Sequence, residues 1–125
     1  MAICRYLENI YPDNPWMGKD PEDIAIIDMW ERRAWEQGML PCSEVFRNTV
    51  PEFTNRSLPG RHVPMPQVEA LVERGRTNID LFFRKFDQQL EGREFIASDC
   101  YTVDEITTLT VVDFAAMGGK EIRGK

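Results

Sequence analysis

"SDCYTVDEITTLTVVDFAAM", residues 98–117, opens like a deliberately started helix and continues with apolar residues on every side. Thr102 at the N-cap places Glu105 three positions later, the spacing of a capping box in which each side chain serves an amide of the other. Tyr101 and Ile106 stand where a hydrophobic staple would fix the entry of the chain. Beyond them, Ile106, Leu109, Val111, Val112, Phe114 and Met117 cover the whole circumference, which is the pattern of a helix surrounded by protein. Water cannot satisfy the first amides of such a helix, so side chains must. Removing the cap is expected to cost about 1 kcal/mol or more. Asp113 reads as a paired or capping group inside the core, because an unpaired buried carboxylate is costly. The segment is expected to be the central helix of its domain.

Three more helices lie upstream. "AICRYLENI", residues 2–10, sets Ile3, Tyr6, Leu7 and Ile10 at helical spacing before "YPDNP" breaks the chain. Asp20 is a natural N-cap, with Pro21 at the first helical position and acidic residues in the first turn. This second helix should run to about Asn48. One stripe joins Ile24, Ile27, Ala34, Gly38, Pro41 and Val45, while Ile26, Met29, Trp30 and Trp35 lie off it. So wide an apolar arc implies a second covered surface. Pro41 removes a hydrogen bond and crowds the carbonyl of Gln37, which predicts a bend near Gly38–Pro41. The stretch "TVPEFTNRSLPGRHVPMP" has four prolines and one glycine and reads as a long surface loop. A further helix covers about Gln67–Leu90, with Val68, Val72, Gly75, Ile79, Phe82, Phe86 and Leu90 spaced by three or four. Gly75 in mid-helix costs about 1 kcal/mol against alanine, and close approach of a neighbouring helix would compensate. No segment reads as a strand. The fold class is all-α, a helical bundle.

Composition narrows the function classes. The 125 residues suffice for one modest core, and 42% hydrophobic with 29% charged residues argues against disorder. A net charge of −6 disfavours a surface that tracks phosphates. Arg74, Arg76, Arg84 and Lys85 alternate with Glu73, Asp80 and Asp87, the pattern of a solvated helix face, so nucleic acid is not an expected partner. No stretch approaches the roughly 18 apolar residues of a membrane span, and the N-terminus lacks a signal-peptide layout. Cys4, Cys42 and Cys100 are odd in number and widely spaced; they read as reduced, buried thiols of a cytosolic protein. His62 is the single histidine and falls in the proline-rich loop. It supports neither a metal site nor a nucleophilic dyad.

The blocks "AICRYLENIYP", "DPEDIAIIDMWERRAWEQGMLP" and "GREFIASDCYTVDEITTLTVVDFA" together resemble a bacterial cytosolic glutathione S-transferase. In that family a loop of the form G-x-x-F-ϕ-A-G-D-x-ϕ-S-x-A-D-I, ϕ being apolar, leads into the central helix of the all-helical C-terminal domain. Here Ser98 stands for the usual glycine, Thr102 for serine and Glu105 for aspartate. The resemblance covers about residues 2–117. It implies that residues 1–12 are a remnant of the last helix of a thioredoxin-like domain. Residues 13–125 would then be a C-terminal-type helical domain, incomplete at its own C-terminus. The thioredoxin-like domain, with its catalytic Tyr, Ser or Cys and most glutathione contacts, is not among the residues that the resemblance covers.

The resemblance also implies a role. The parent reaction is attack of the glutathione thiolate on an electrophilic carbon, with glutathione as co-substrate and no cofactor. Arg33, Glu36, Gln37 and Leu40 are the expected wall for a hydrophobic electrophile, and no residue of this chain is expected to be catalytic. Ile26, Met29 and Trp30 are the expected contacts of a homodimer. The isolated chain is expected to be inactive. The alternative is a non-catalytic, transferase-like protein-interaction module, consistent with the surplus of apolar helix surface.

Overall fold

The computed structural model describes residues 1–118; residues 119–125, which include the expected open end of the second unit, lie outside the described residues. Asp20 begins the central element. Its Oδ1 accepts from the amides of Glu22 at 3.0 Å and Asp23 at 2.9 Å, ahead of helix α2, Pro21–Ala34. The preceding helix, α1, spans Ala2–Ile10. After α2 the chain passes through a π turn, Trp35–Met39, straight into α3, Leu40–Thr49. A single 3-10 turn, Pro51–Phe53, and a long loop lead to α4, Glu69–Gln89, and a second loop to α5, Val103–Met117. Among the described residues there is no strand, only an isolated bridge between Arg56 and Met65. The architecture is all-α.

The π turn departs from the expected simple bend and begins earlier, at Trp35. Pro41 has no N–H to give to the carbonyl of Gln37, and its ring would crowd that carbonyl. Widening the preceding turn relieves the clash. The Leu40 amide now reaches the carbonyl of Trp35, five residues back.

Two glycines mark where helices touch. A Cβ at Gly75 of α4 would lie 2.7 Å from Cγ2 of Val45 and 3.1 Å from the carbonyl of Pro41. At Gly38 it would lie 2.7 Å from Val111 and 2.9 Å from the Phe82 ring. The helix-propensity cost of both glycines is therefore offset by close packing of α3 on α4 and of the π turn on α4 and α5. Around these contacts the core gathers Trp30, Ala34, Val45, Ile79, Phe82, Phe86 and Val111. Phe82 and Phe86 stand 4.3 Å apart, and Trp30 meets Phe86 edge-on at 5.3 Å.

Helix α5 corrects one expectation. It is not buried all round. Val103, Asp104, Glu105, Thr108, Val111 and Ala115 are buried, whereas Leu109 is 53% and Met117 77% exposed. Its main contacts run to α2, the π turn and α3, and they leave Leu109 and Met117 exposed. Asp113 is exposed rather than paired in the core. The buried acid is Asp104. Cys42 alone of the cysteines is buried; Cys4 is exposed and Cys100 half-buried.

Helix α1 is the reverse case. None of its residues is buried. Its polar side holds it to the body: Arg5 pairs with Asp28 of α2, and the carboxylate of Glu8 accepts from the Met17 amide at 2.9 Å. Ile3, Tyr6, Leu7 and Ile10 stay exposed.

Candidate functional site

The π turn changes which side chains share a face. On an uninterrupted helix Arg33, Glu36, Gln37 and Leu40 lie along one stripe. A turn of five residues inserts an extra position, and of the four expected residues Glu36 and Gln37 share one cleft while Arg33 and Leu40 do not line it. The guanidinium of Arg33 lies over the Trp30 ring, 4.7 Å from its centroid. Glu36 and Gln37 line a cleft of about 410 Å³ against Asn78, Leu81, Phe82 and Lys85 of α4. Lys85 Nζ donates to Gln37 Oε1 at 2.7 Å across it. Leu40 is exposed.

A different set of residues forms a groove of about 540 Å³. Helix α1 supplies Cys4, with Met1 just ahead of it. The α2–π junction supplies Glu31, Arg32, Trp35 and Met39, and α5 supplies Val103, Ile106, Thr107 and Thr110. The walls are mostly apolar, with two threonine hydroxyls and one ion pair at the edge. Arg32 is held by Glu36 at 2.6 Å, and the buried Glu31 accepts a long hydrogen bond from Thr107 at 3.5 Å. An apolar concavity with a few polar groups is the usual form of a small-molecule site. Periodicity misses this set because Trp35 and Met39 lie off the buried stripe. The signal present in the sequence is the four-residue spacing of Glu31, Trp35 and Met39, which sets them on one face.

The entry of α5 frames one wall. Thr102 and Glu105 form a capping box. Glu105 Oε2 accepts from the Thr102 amide at 2.6 Å, and Oε1 reaches across to the Ile96 amide at 2.8 Å, tying the preceding loop to the helix. Tyr101 packs edge-on to Trp16 at 6.0 Å, and the Val103 amide donates to the Trp16 carbonyl at 3.0 Å. A further cavity of about 600 Å³ lies beside this loop, where Lys19 and Arg93 mix with Asp23, Glu94 and Asp99. Its mixed charge on exposed loop side chains gives it no chemical direction.

Three ionisable groups complete the electrostatics. Burial pushes the Cys42 thiol up to about 11, so it stays protonated and is a poor nucleophile. Burial, opposed by the Thr102 hydrogen bond and reinforced by Glu105, pushes Asp104 up to about 6. Arg5 is raised by Asp28. Among the described residues no group of His, Cys, Asp and Glu could hold a metal ion, and no helix is long and apolar enough to cross a membrane. Of the expected dimer contacts, Ile26 and Met29 are exposed. Trp30 is not: only 7% of it is accessible, because its indole fills the core against Phe86.

The bent α2–π–α3 element, the long α4 beside it and the capped α5 define an all-α bundle of the glutathione S-transferase C-terminal type. The chain is a helical, glutathione S-transferase-like unit. A class Gtt2 glutathione S-transferase of Vibrio parahaemolyticus matches 94% of this chain at 28% identity and a TM-score of 0.73. A glutathione S-transferase domain-containing protein of Marinobacter aquaeolei VT8 matches 98% of it at 22% identity and a TM-score of 0.81, which speaks for the fold alone. The chain spans about half the length of both, 51% and 57%. No family model and no curated protein matches the sequence.

Proposed function

We propose that this chain supplies the wall on which a hydrophobic electrophile rests during conjugation to glutathione. The observation that carries the reading is the groove between α1, the α2–π junction and α5. Trp35, Met39 and Ile106 give it an apolar surface, while the hydroxyls of Thr107 and Thr110 donate to Glu31 and to the Ile106 carbonyl and leave only their oxygens to accept from a ligand. The 125 residues by themselves bind the electrophile without activating the thiol. A free thiol has a pKa of about 8.5, and thiolate formation at neutral pH needs a dedicated partner. In the groove Arg32 is engaged by Glu36, and Glu31 is turned to Thr107. Glutathione is the co-substrate, and no cofactor or metal takes part.

Titration with a chlorinated nitroarene, followed by tryptophan fluorescence, tests this. Saturable quenching that disappears in Trp35→Phe is expected, with no turnover on adding glutathione. Quenching unchanged in Trp35→Phe would move the ligand elsewhere, and turnover surviving removal of host transferases would contradict the binding-only role.

A second reading, a protein-interaction module, is favoured by α1, whose Ile3, Tyr6, Leu7 and Ile10 all face outward. A homodimer through Ile26 and Met29 fits either reading, since contiguous exposed apolar surface rarely stays solvated. Light scattering at micromolar concentration should give twice the chain mass, returning to the monomer value in Met29→Lys. A monomer in the unaltered chain would remove that interface.

A further inference from the structure

Asp104, the second residue of α5, is completely buried and takes no part in the groove. Its Oδ1 accepts from the Thr102 hydroxyl, and its Oδ2 has no hydrogen-bond partner. The same hydroxyl lies 3.0 Å from Oε2 of Glu105. Glu105 is already committed to the main chain, to Ile96 through one oxygen and to Thr102 through the other. A single hydroxyl hydrogen therefore faces two carboxylates in a buried turn. A buried carboxylate oxygen without a donor is costly, and the missing donor can be a proton. Carried by Asp104, it removes one of the two negative charges gathered at the Thr102 hydroxyl.

We propose that the start of α5 is a proton-operated latch. A proton held between Asp104 and Glu105 tightens the junction of the 91–101 loop with the helix, and its loss loosens that junction. The surroundings fit such a device. Met17 and Ile27 pack against Val103 from the 11–20 segment and α2, with Ala97 of the loop beside them, and all are apolar. The charged group that faces Asp104 is Glu105 on α5 itself, while Glu31 of α2 meets α5 one turn further on at Thr107. Glu105 is an acid, so it does not favour a second ionised carboxylate at Asp104.

The direction of the effect is set by the proton affinities. Unfolded aspartate titrates near about 3.9. Asp104 is pushed to about 6 in the fold, mainly by burial, so the folded chain binds this proton more tightly than the unfolded one. The stabilisation is complete below about pH 4 and is lost as pH rises through about 6. A difference of about two pKa units corresponds to roughly a hundredfold in the folding equilibrium. The latch is closed in mildly acidic medium and open above neutrality.

Carboxyl carbon NMR of the full chain reads Asp104 directly between about pH 3.5 and 8, a range that spans the free and the raised carboxyl. A midpoint near 6 is expected, and a midpoint at or below about 4 overturns the proposal. Amide exchange, corrected for its intrinsic pH dependence, should show Ile96 and Thr102 better protected at about pH 5 than at about 7.5, on either side of the titration. Equal protection overturns it. Urea midpoints of the unaltered chain should fall over the same interval. They should stay level in Asp104→Asn, which imitates the protonated acid, and in Asp104→Ala. A slope retained in both variants assigns the pH response to another group and overturns the proposal.

Discussion

Two clefts flank the π turn, and they differ in kind. On the α4 side, Gln37 and Lys85 close across a cleft with a hydrogen bond of 2.7 Å, so much of its polarity is already spent internally. On the α5 side, Trp35, Met39 and Ile106 line the groove, the hydrogen bond across it from Thr107 to Glu31 is long at 3.5 Å, and the ion pair Arg32–Glu36 sits on the helix surface. The difference teaches that two faces of one helical segment can carry sites of opposite kind, one satisfied and one open for an apolar ligand.

The support beneath the π turn offers the strongest test of that contrast. Phe82 lines the α4-side cleft, touches the place where a Gly38 side chain would be, and packs on Phe86. Phe82→Ala should destabilise the chain by about 3–5 kcal/mol in urea unfolding. Electrophile binding should fail with it, because the π turn loses its support. A loss below about 1 kcal/mol would mean that the π turn is not held from below.

The next largest effect concerns the α5 wall. Thr102→Ala should cost about 1–2 kcal/mol, as the hydroxyl lies in the buried first turn. Glu105→Ala should cost at least as much, since its carboxylate also holds the Ile96 amide. The two losses should not add, because the box is reciprocal. Additive losses would show that the two residues act independently.

The smallest effects separate the two clefts. Trp35→Ala should weaken nitroarene binding about fivefold to tenfold, an indole face covered by ligand being worth on the order of 1 kcal/mol. Gln37→Ala should change it by less than about twofold, since that side chain is occupied by Lys85. Reversal of this order would exchange the roles of the clefts.

Much of the fold is legible in the sequence because its signals are local. Asp20 followed by Pro21 starts α2, the three-and-four spacing from Val72 to Phe86 fixes the buried face of α4, and Thr102 with Glu105 starts α5. Gly75 is legible through its cost, which only a close neighbour offsets. The illegible parts depend on partners. The apolar pattern of α5 reads as full burial, but a pattern states which faces favour cover, not whether cover is present. Helix α1 makes the same point, with four apolar residues facing out while Arg5 and Glu8 hold it in place. Trp30 and Asp104 escape the pattern for a related reason. Both sit at positions where helical spacing alone does not tell core from surface. The candidate site is the least legible, because Glu31, Trp35 and Met39 share a helical face off the buried stripe, and α1 and α5 complete the groove only in the fold.

Amide-resolved NMR during titration with a chlorinated nitroarene tests the central claim most directly, since it reads both clefts at once. Saturable shifts are expected at Cys4, Arg32, Trp35, Ile106 and Thr110, which surround the groove, with Asn78, Leu81 and Lys85 left in place. Shifts confined to 78–85, or none at all up to millimolar ligand, would contradict the assignment of the groove as the electrophile wall.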